Sequence, residues 1–150
     1  MELGNKYIIF QLGEQLYGAT IDQVRSIEKI MDVTSLPGTP NYLMGVADLR
    51  GIITPVIDMK KLLQIPGIIE TDEAKILIVH IGENQFGLVV DVATDVINIE
   101  SDFIKASPNV VGEANRALIS GLAQLQDKII TLLDIDHLLS TNDLDELNEL

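Results

Sequence analysis

Two stretches of this 150-residue chain return later in the chain at fixed offsets. A shift of 69 positions lays Gly13-Glu14 on Gly82-Glu83, Tyr17-Gly18 on Phe86-Gly87, Asp22 on Asp91 and Ile30 on Ile99. A shift of 76 lays Gly45, Ala47, Leu49, Ile53, Asp58, Leu62 and Leu63 on identical residues at 121, 123, 125, 129, 134, 138 and 139. Repetition of this kind means that one structural unit is used twice. The units run over about 6–63 and 75–139, joined by Gln64–Glu73, whose Pro66-Gly67 and following acids mark a short linker.

Each unit holds two hairpins and a terminal apolar stretch. Residues 6–12 and 15–21 flank Gly13-Glu14, and 46–49 and 52–57 flank Arg50-Gly51. These runs are rich in β-branched residues, which pack well on a pleated surface, and glycine supplies the positive φ that tight turns need. After Asp58 the spacing of Met59, Leu62 and Leu63 is helical, with Asp58 as the N-cap, and Asp134, Ile135, Leu138 and Leu139 repeat it. The strand count predicts an all-β fold of two small five-stranded barrels or rolls, with exchange of strands between them allowed. A unit of about 60 residues buries only about 60% of its unfolded surface, so the two are expected to pack around a shared apolar core. Residues 141–150 are expected to form an acidic C-terminal helix or tail, since Leu144, Leu147 and Leu150 suit a short amphipathic helix.

Ten Lys and Arg against 23 Asp and Glu give a formal charge of -13, which repels nucleic acid and anionic lipid. The expected partners are proteins. Cysteine is absent, and the two histidines, His80 and His137, occupy non-equivalent positions in the two units. No catalytic or phosphate-binding motif is present, so no catalytic, cofactor-binding or metal-binding residue is assigned. No apolar run reaches the roughly 18 residues of a membrane span, and the N-terminus lacks the pattern of a secretion signal, so a cytoplasmic location without membrane insertion is expected.

The two units differ where a shared fold does not require agreement. Arg50-Gly51 becomes Gln126-Asp127, Pro55 becomes Thr131, and the second unit carries extra residues between Ile99 and Gly121. That longer stretch contains Pro108-Asn109 followed by Val110-Val111, apolar residues beside a turn signal. Arg50 is presented at a hairpin tip, and its guanidinium, a planar fork of donors that does not deprotonate, suits gripping a partner rather than proton chemistry.

Four segments carry a family resemblance. They are Phe10-Gln-Leu-Gly-Glu-Gln-Leu-Tyr-Gly18, Val33-Thr-Ser-Leu-Pro-Gly-Thr-Pro40, Gly45-Val-Ala-Asp-Leu-Arg-Gly-Ile-Ile-Thr-Pro-Val-Ile-Asp58 and Gly87-Leu-Val-Val-Asp-Val-Ala-Thr-Asp-Val96. With them the chain resembles the CheW family of bacterial chemotaxis coupling proteins from about Lys6 to Leu139. The family commonly has Asn-Leu-Arg-Gly at the turn where this chain has Asp48-Leu49-Arg50-Gly51. The resemblance implies two SH3-like β-barrels and a non-enzymatic adaptor. Its implied partners are the cytoplasmic tip of chemoreceptors and the regulatory domain of the histidine kinase CheA, in receptor arrays beneath the inner membrane. Carried over, the receptor groove includes Val33, Leu49, Arg50 and Gly51, and the loop at Asn109 and Val110 is the candidate kinase contact. Alternative readings are a CheW-like module of a longer protein, such as the CheA regulatory domain or CheV, and a small-ligand-binding barrel.

Overall fold

A computed structural model describes residues 5–67, 72–106 and 118–141. The first unit supplies β1 (Asn5–Leu12), β2 (Gln15–Thr20), β3 (Val24–Lys29), β4 (Leu43–Leu49), β5 (Ile52–Asp58) and the short helix α1 (Met59–Leu62). The second supplies β6 (Lys75–Ile81), β7 (Asn84–Val90), β8 (Val92–Ile99), the two-residue β9 (Ile104–Lys105), β10 (Ile119–Leu125), β11 (Lys128–Leu133) and α2 (Ile135–Thr141).

The strands form two sheets, in the orders β8-β1-β2-β11-β10-β9 and β3-β6-β7-β5-β4. Each sheet therefore mixes the units. The first hairpin of either unit pairs within the other unit's sheet, through the parallel contacts of β2 with β11 and of β7 with β5. Registers coincide under the two shifts: Val56 faces Gly87 as Leu132 faces Gly18, and Lys29 faces Lys75 as Asn98 faces Lys6. Even the bulges coincide, between Leu43 and Gly45 and between Ile119 and Gly121.

Each sheet curls until the chain leaving one edge reaches the other. Beyond β3, Thr34 exchanges two backbone hydrogen bonds of 2.8 Å with Val46 of β4. Beyond β8, a 3-10 turn at Ser101–Phe103 delivers β9 onto β10. Glycine makes both closures possible. A Cβ on Gly45 would overlap the Thr34 carbonyl oxygen, and one on Gly121 would lie 2.6 Å from the Ile104 side chain. These identical glycines are thus retained for close backbone approach. The result is two SH3-like β-barrels.

Strand alternation divides the apolar residues into three layers. Tyr7 and Ile9 point into the first barrel with Ala123, Ile130 and Leu132, whereas Ile76, Ile78 and Val89 point into the second with Ala47, Leu49 and Val56. The intervening residues Ile8, Phe10, Leu12, Leu77, Val79 and Leu88 meet between the barrels. Met59 and Leu62 of α1 and Ile135 and Leu138 of α2 join the same layer, the shared core expected from the small size of each unit. Asp58 caps α1 as anticipated, accepting from the Lys60 and Lys61 amides at 2.9 and 3.2 Å. At α2, Asp134 accepts from the His137 amide at 3.2 Å.

Candidate functional site

The hairpin of β4 and β5 turns through Arg50 and Gly51, at φ 59° and 82°. Two successive positive φ values, with Leu49 paired to Ile52, make the two-residue turn whose twist matches that of the flanking strands. Glycine takes this conformation freely; for Arg50 it carries a steric cost. Asp48 offsets part of it by accepting from the Gly51 amide at 2.9 Å. The residue that departs from the family's usual asparagine therefore holds the turn with a side-chain oxygen that either residue type supplies.

Above the turn the Arg50 side chain is 66% exposed, and its Nη2 lies 3.2 Å from Glu28 Oε2 on β3. An ion pair this open contributes little to stability, at most about 1 kcal/mol. Its consequence is geometric, because it joins the hairpin tip to the edge strand β3. On that strand Ile27 lies opposite Leu77, a residue of the inter-barrel layer, yet is 42% exposed; Ile30, just past the strand, is 48% exposed. At the equivalent edge Val96 lies opposite Ile8 and is 53% exposed. The apolar layer between the barrels thus reaches the surface at β3 and β8.

Of the residues expected at the receptor groove, Arg50 and Gly51 are exposed at the tip, and Val33 is half-buried. Leu49 is only 2% exposed and packs inside the barrel in the cluster that Met31 and Val33 also contact. Its side chain roots the hairpin rather than lining a surface, because alternation along β4 turns positions 47 and 49 inward and Asp48 outward. Asn109 and Val110 lie outside the described residues. Glu28, Ile27 and Ile30 lie outside the residues expected at the receptor groove; the sequence holds a signal for Glu28, which stands where the second unit has the aliphatic Ile97.

A cleft of about 480 Å³ lies elsewhere, lined by residues that include Tyr17, Leu62, Ile65, Leu118, Thr131 and Leu138, and it shares no residue with the Arg50 surface. Among the described residues, no acid or histidine lines it. Among the described residues, no three His, Asp or Glu side chains converge as metal ligands. No helix among them is long and apolar enough to cross a membrane. The Arg50 surface has the makings of a contact face: an exposed cation on a rigid mount, an acidic partner and apolar neighbours.

Comparison with known proteins agrees with this geometry. The profile of the CheW-like domain matches residues 6–143. The chain is 33% identical over 139 residues to the chemotaxis protein CheW of Bacillus subtilis, covering 93% of this chain and 89% of that protein. It is 30% identical over 142 residues to the CheW of Klebsiella aerogenes, covering 95% and 86%. The crystal structure of the scaffolding protein TtCheW from Thermoanaerobacter tengcongensis superposes with a TM-score of 0.84 at 34% identity, over 95% of this chain and 92% of that one. Two barrels built from exchanged hairpins, a turn carrying Arg50-Gly51 and these matches over nearly the whole chain lead to one conclusion: the protein belongs to the CheW family of chemotaxis scaffolding proteins.

Proposed function

We propose that this chemotaxis scaffold works without catalysis, by holding the cytoplasmic tip of a chemoreceptor on one surface and the regulatory domain of the kinase CheA on another. The observation that carries the reading is the union of the exposed Arg50 turn with the apolar edge at Ile27 and Ile30 through the Arg50–Glu28 ion pair. A receptor tip is helical, and an amphipathic helix docks by laying its apolar face against such an edge while charged groups on the rim fix its register. Arg50, Gly51 and Val33 belong to that receptor surface, with Leu49 supporting it from inside. The loop at Asn109 and Val110 is assigned to the kinase. The scaffold acts in the cytoplasm, recruited to receptor arrays, and requires no cofactor.

Mixing the purified protein with a receptor-tip fragment and the CheA regulatory domain tests this. A ternary complex is expected, with each partner binding equally well in the presence of the other. Mutual exclusion of the two partners, or failure of both to bind, overturns the bridging role.

A further inference from the structure

Beneath the Arg50 turn runs a chain of buried polar side chains. Gln85 of β7 is 7% exposed and Thr54 of β5 is fully buried. Gln85 Nε2 lies 3.2 Å from the Leu49 carbonyl oxygen and 2.8 Å from Thr54 Oγ1, and Gln85 Oε1 lies 3.0 Å from His80 Nε2. Thr54 Oγ1 in turn donates to the Ile52 carbonyl at 2.9 Å.

The direction of every hydrogen bond follows from what each group can do. A carbonyl only accepts, so the amide of Gln85 must present its nitrogen to Leu49, and both of its N–H groups are then used. Thr54 spends its proton on Ile52 and therefore accepts from Gln85. Gln85 Oε1 accepts, so His80 donates from Nε2. The chain thus runs from His80 to Gln85 and ends on the carbonyls of Leu49 and Ile52, the two residues that flank Arg50-Gly51.

The other barrel does without it. Under the two shifts, Gln85 corresponds to Leu16, Thr54 to Ile130 and His80 to Gln11, which turns to the Gly13 carbonyl at 2.9 Å instead. The corresponding turn still forms, with Gln126 at φ 56°. The fold accepts apolar residues at the positions of Gln85 and Thr54, and burying polar ones is costly unless each finds its partners.

We infer that Gln85, with Thr54 as its relay, is a positioning residue for the Arg50 turn: it holds the Leu49 carbonyl so that the guanidinium is presented to a receptor helix in one orientation. The assignment of the partner rests on the receptor surface proposed above. Together with Asp48 on the outer side, the chain clamps a turn whose first residue is sterically disfavoured there.

Gln85→Leu, which installs the residue used by the other barrel, tests this in two ways. In the free protein, amide exchange at Gly51 should accelerate at least tenfold, while exchange at Asp127 in the other turn stays the same. In titrations with a receptor-tip fragment, Gln85→Leu should weaken binding about fivefold in the wild-type background and not at all in the Arg50→Ala background. Thr54→Val, which keeps the shape and removes the relay oxygen, should move both readouts the same way, and it decides the matter if Gln85→Leu does not fold. Unchanged exchange at Gly51 overturns the positioning role whatever the binding shows. An equal loss of affinity in both backgrounds overturns it also, because Gln85 would then act independently of Arg50. If Arg50→Ala binds the fragment like wild type, the receptor surface is refuted, and the Gly51 exchange ratio alone decides whether Gln85 holds the turn.

Discussion

Lys60 Nζ lies 3.0 Å from Asp91 Oδ2, with the two side chains only 8% and 12% exposed. Lys60 sits on α1, Asp91 joins β7 of one sheet to β8 of the other, and the same carboxylate oxygen accepts from the Gly13 amide at 2.6 Å. One buried carboxylate thereby ties together a helix, an inter-sheet crossing and a hairpin turn. The corresponding residues in the other unit are Asp136 and Asp22, two acids, so the pseudo-symmetry of the fold is broken here.

Removing the cation strands a buried anion, which is far costlier than never having had the pair. Lys60→Met should therefore lower unfolding free energy by about 3–5 kcal/mol. Lys60→Met combined with Asp91→Asn keeps an acceptor for Gly13 and removes the charge, and should regain much of the loss. Urea melts of the single and double variants check this; a double variant no more stable than the single would contradict it.

The closing glycines make a sharper contrast. Gly45→Ala places a Cβ into the Thr34 backbone, which has no flexible end to move aside, and should cost about 3 kcal/mol or more. Gly51→Ala meets nothing within 4 Å and should cost only about 1 kcal/mol, for its positive φ. Comparable losses in thermal melts of the two variants would mean that barrel closure at Thr34 is not tight.

Burial pushes the Tyr7 and Tyr17 phenols above their usual value near 10. The unfolded chain therefore releases these protons first, and the folded state holds them longer. The contribution to stability is complete below about pH 10 and is lost as pH rises through the folded values. Urea midpoints should fall across this alkaline range, and less steeply in a Tyr7→Phe, Tyr17→Phe double variant; an identical slope would place the pH dependence elsewhere.

The repeat disclosed the barrels because turn glycines and strand alternation are local features, written within a few residues of each other. Which hairpin enters which sheet is not local. The runs 6–12 and 75–81 read alike whether they pair within their own unit or across, so the exchange of hairpins was compatible with the sequence but not legible in it. At the site, the exposure of Arg50 follows from its place in a two-residue turn, whereas Leu49, expected at the receptor groove, faces inward, as period-two alternation on β4 dictates. Gln85 and Thr54 are not legible as a unit in the sequence, because the buried polar chain is defined by groups on four strands. Their replacement by Leu16 and Ile130 in the other unit was the available clue.

Strain at the turn and service to a partner should oppose each other at Arg50. Its φ of 59° suits asparagine better, so Arg50→Asn should raise stability by about 0.5–1 kcal/mol while weakening receptor binding. Thermal melts paired with binding titrations check this. Loss of both stability and binding would show that the arginine supports the fold.

The role of the Arg50 surface is decided by titrating a receptor-tip fragment against the wild-type protein and Arg50→Ala, with the CheA regulatory domain as a control and urea melts of both forms. Arg50→Ala should cost at least about 1 kcal/mol of receptor affinity, with about 1.4 kcal/mol corresponding to a tenfold loss. Stability should shift by no more than about 0.5 kcal/mol and kinase binding should stay the same. Equal receptor affinities for the two forms would contradict the assignment of this surface to the receptor.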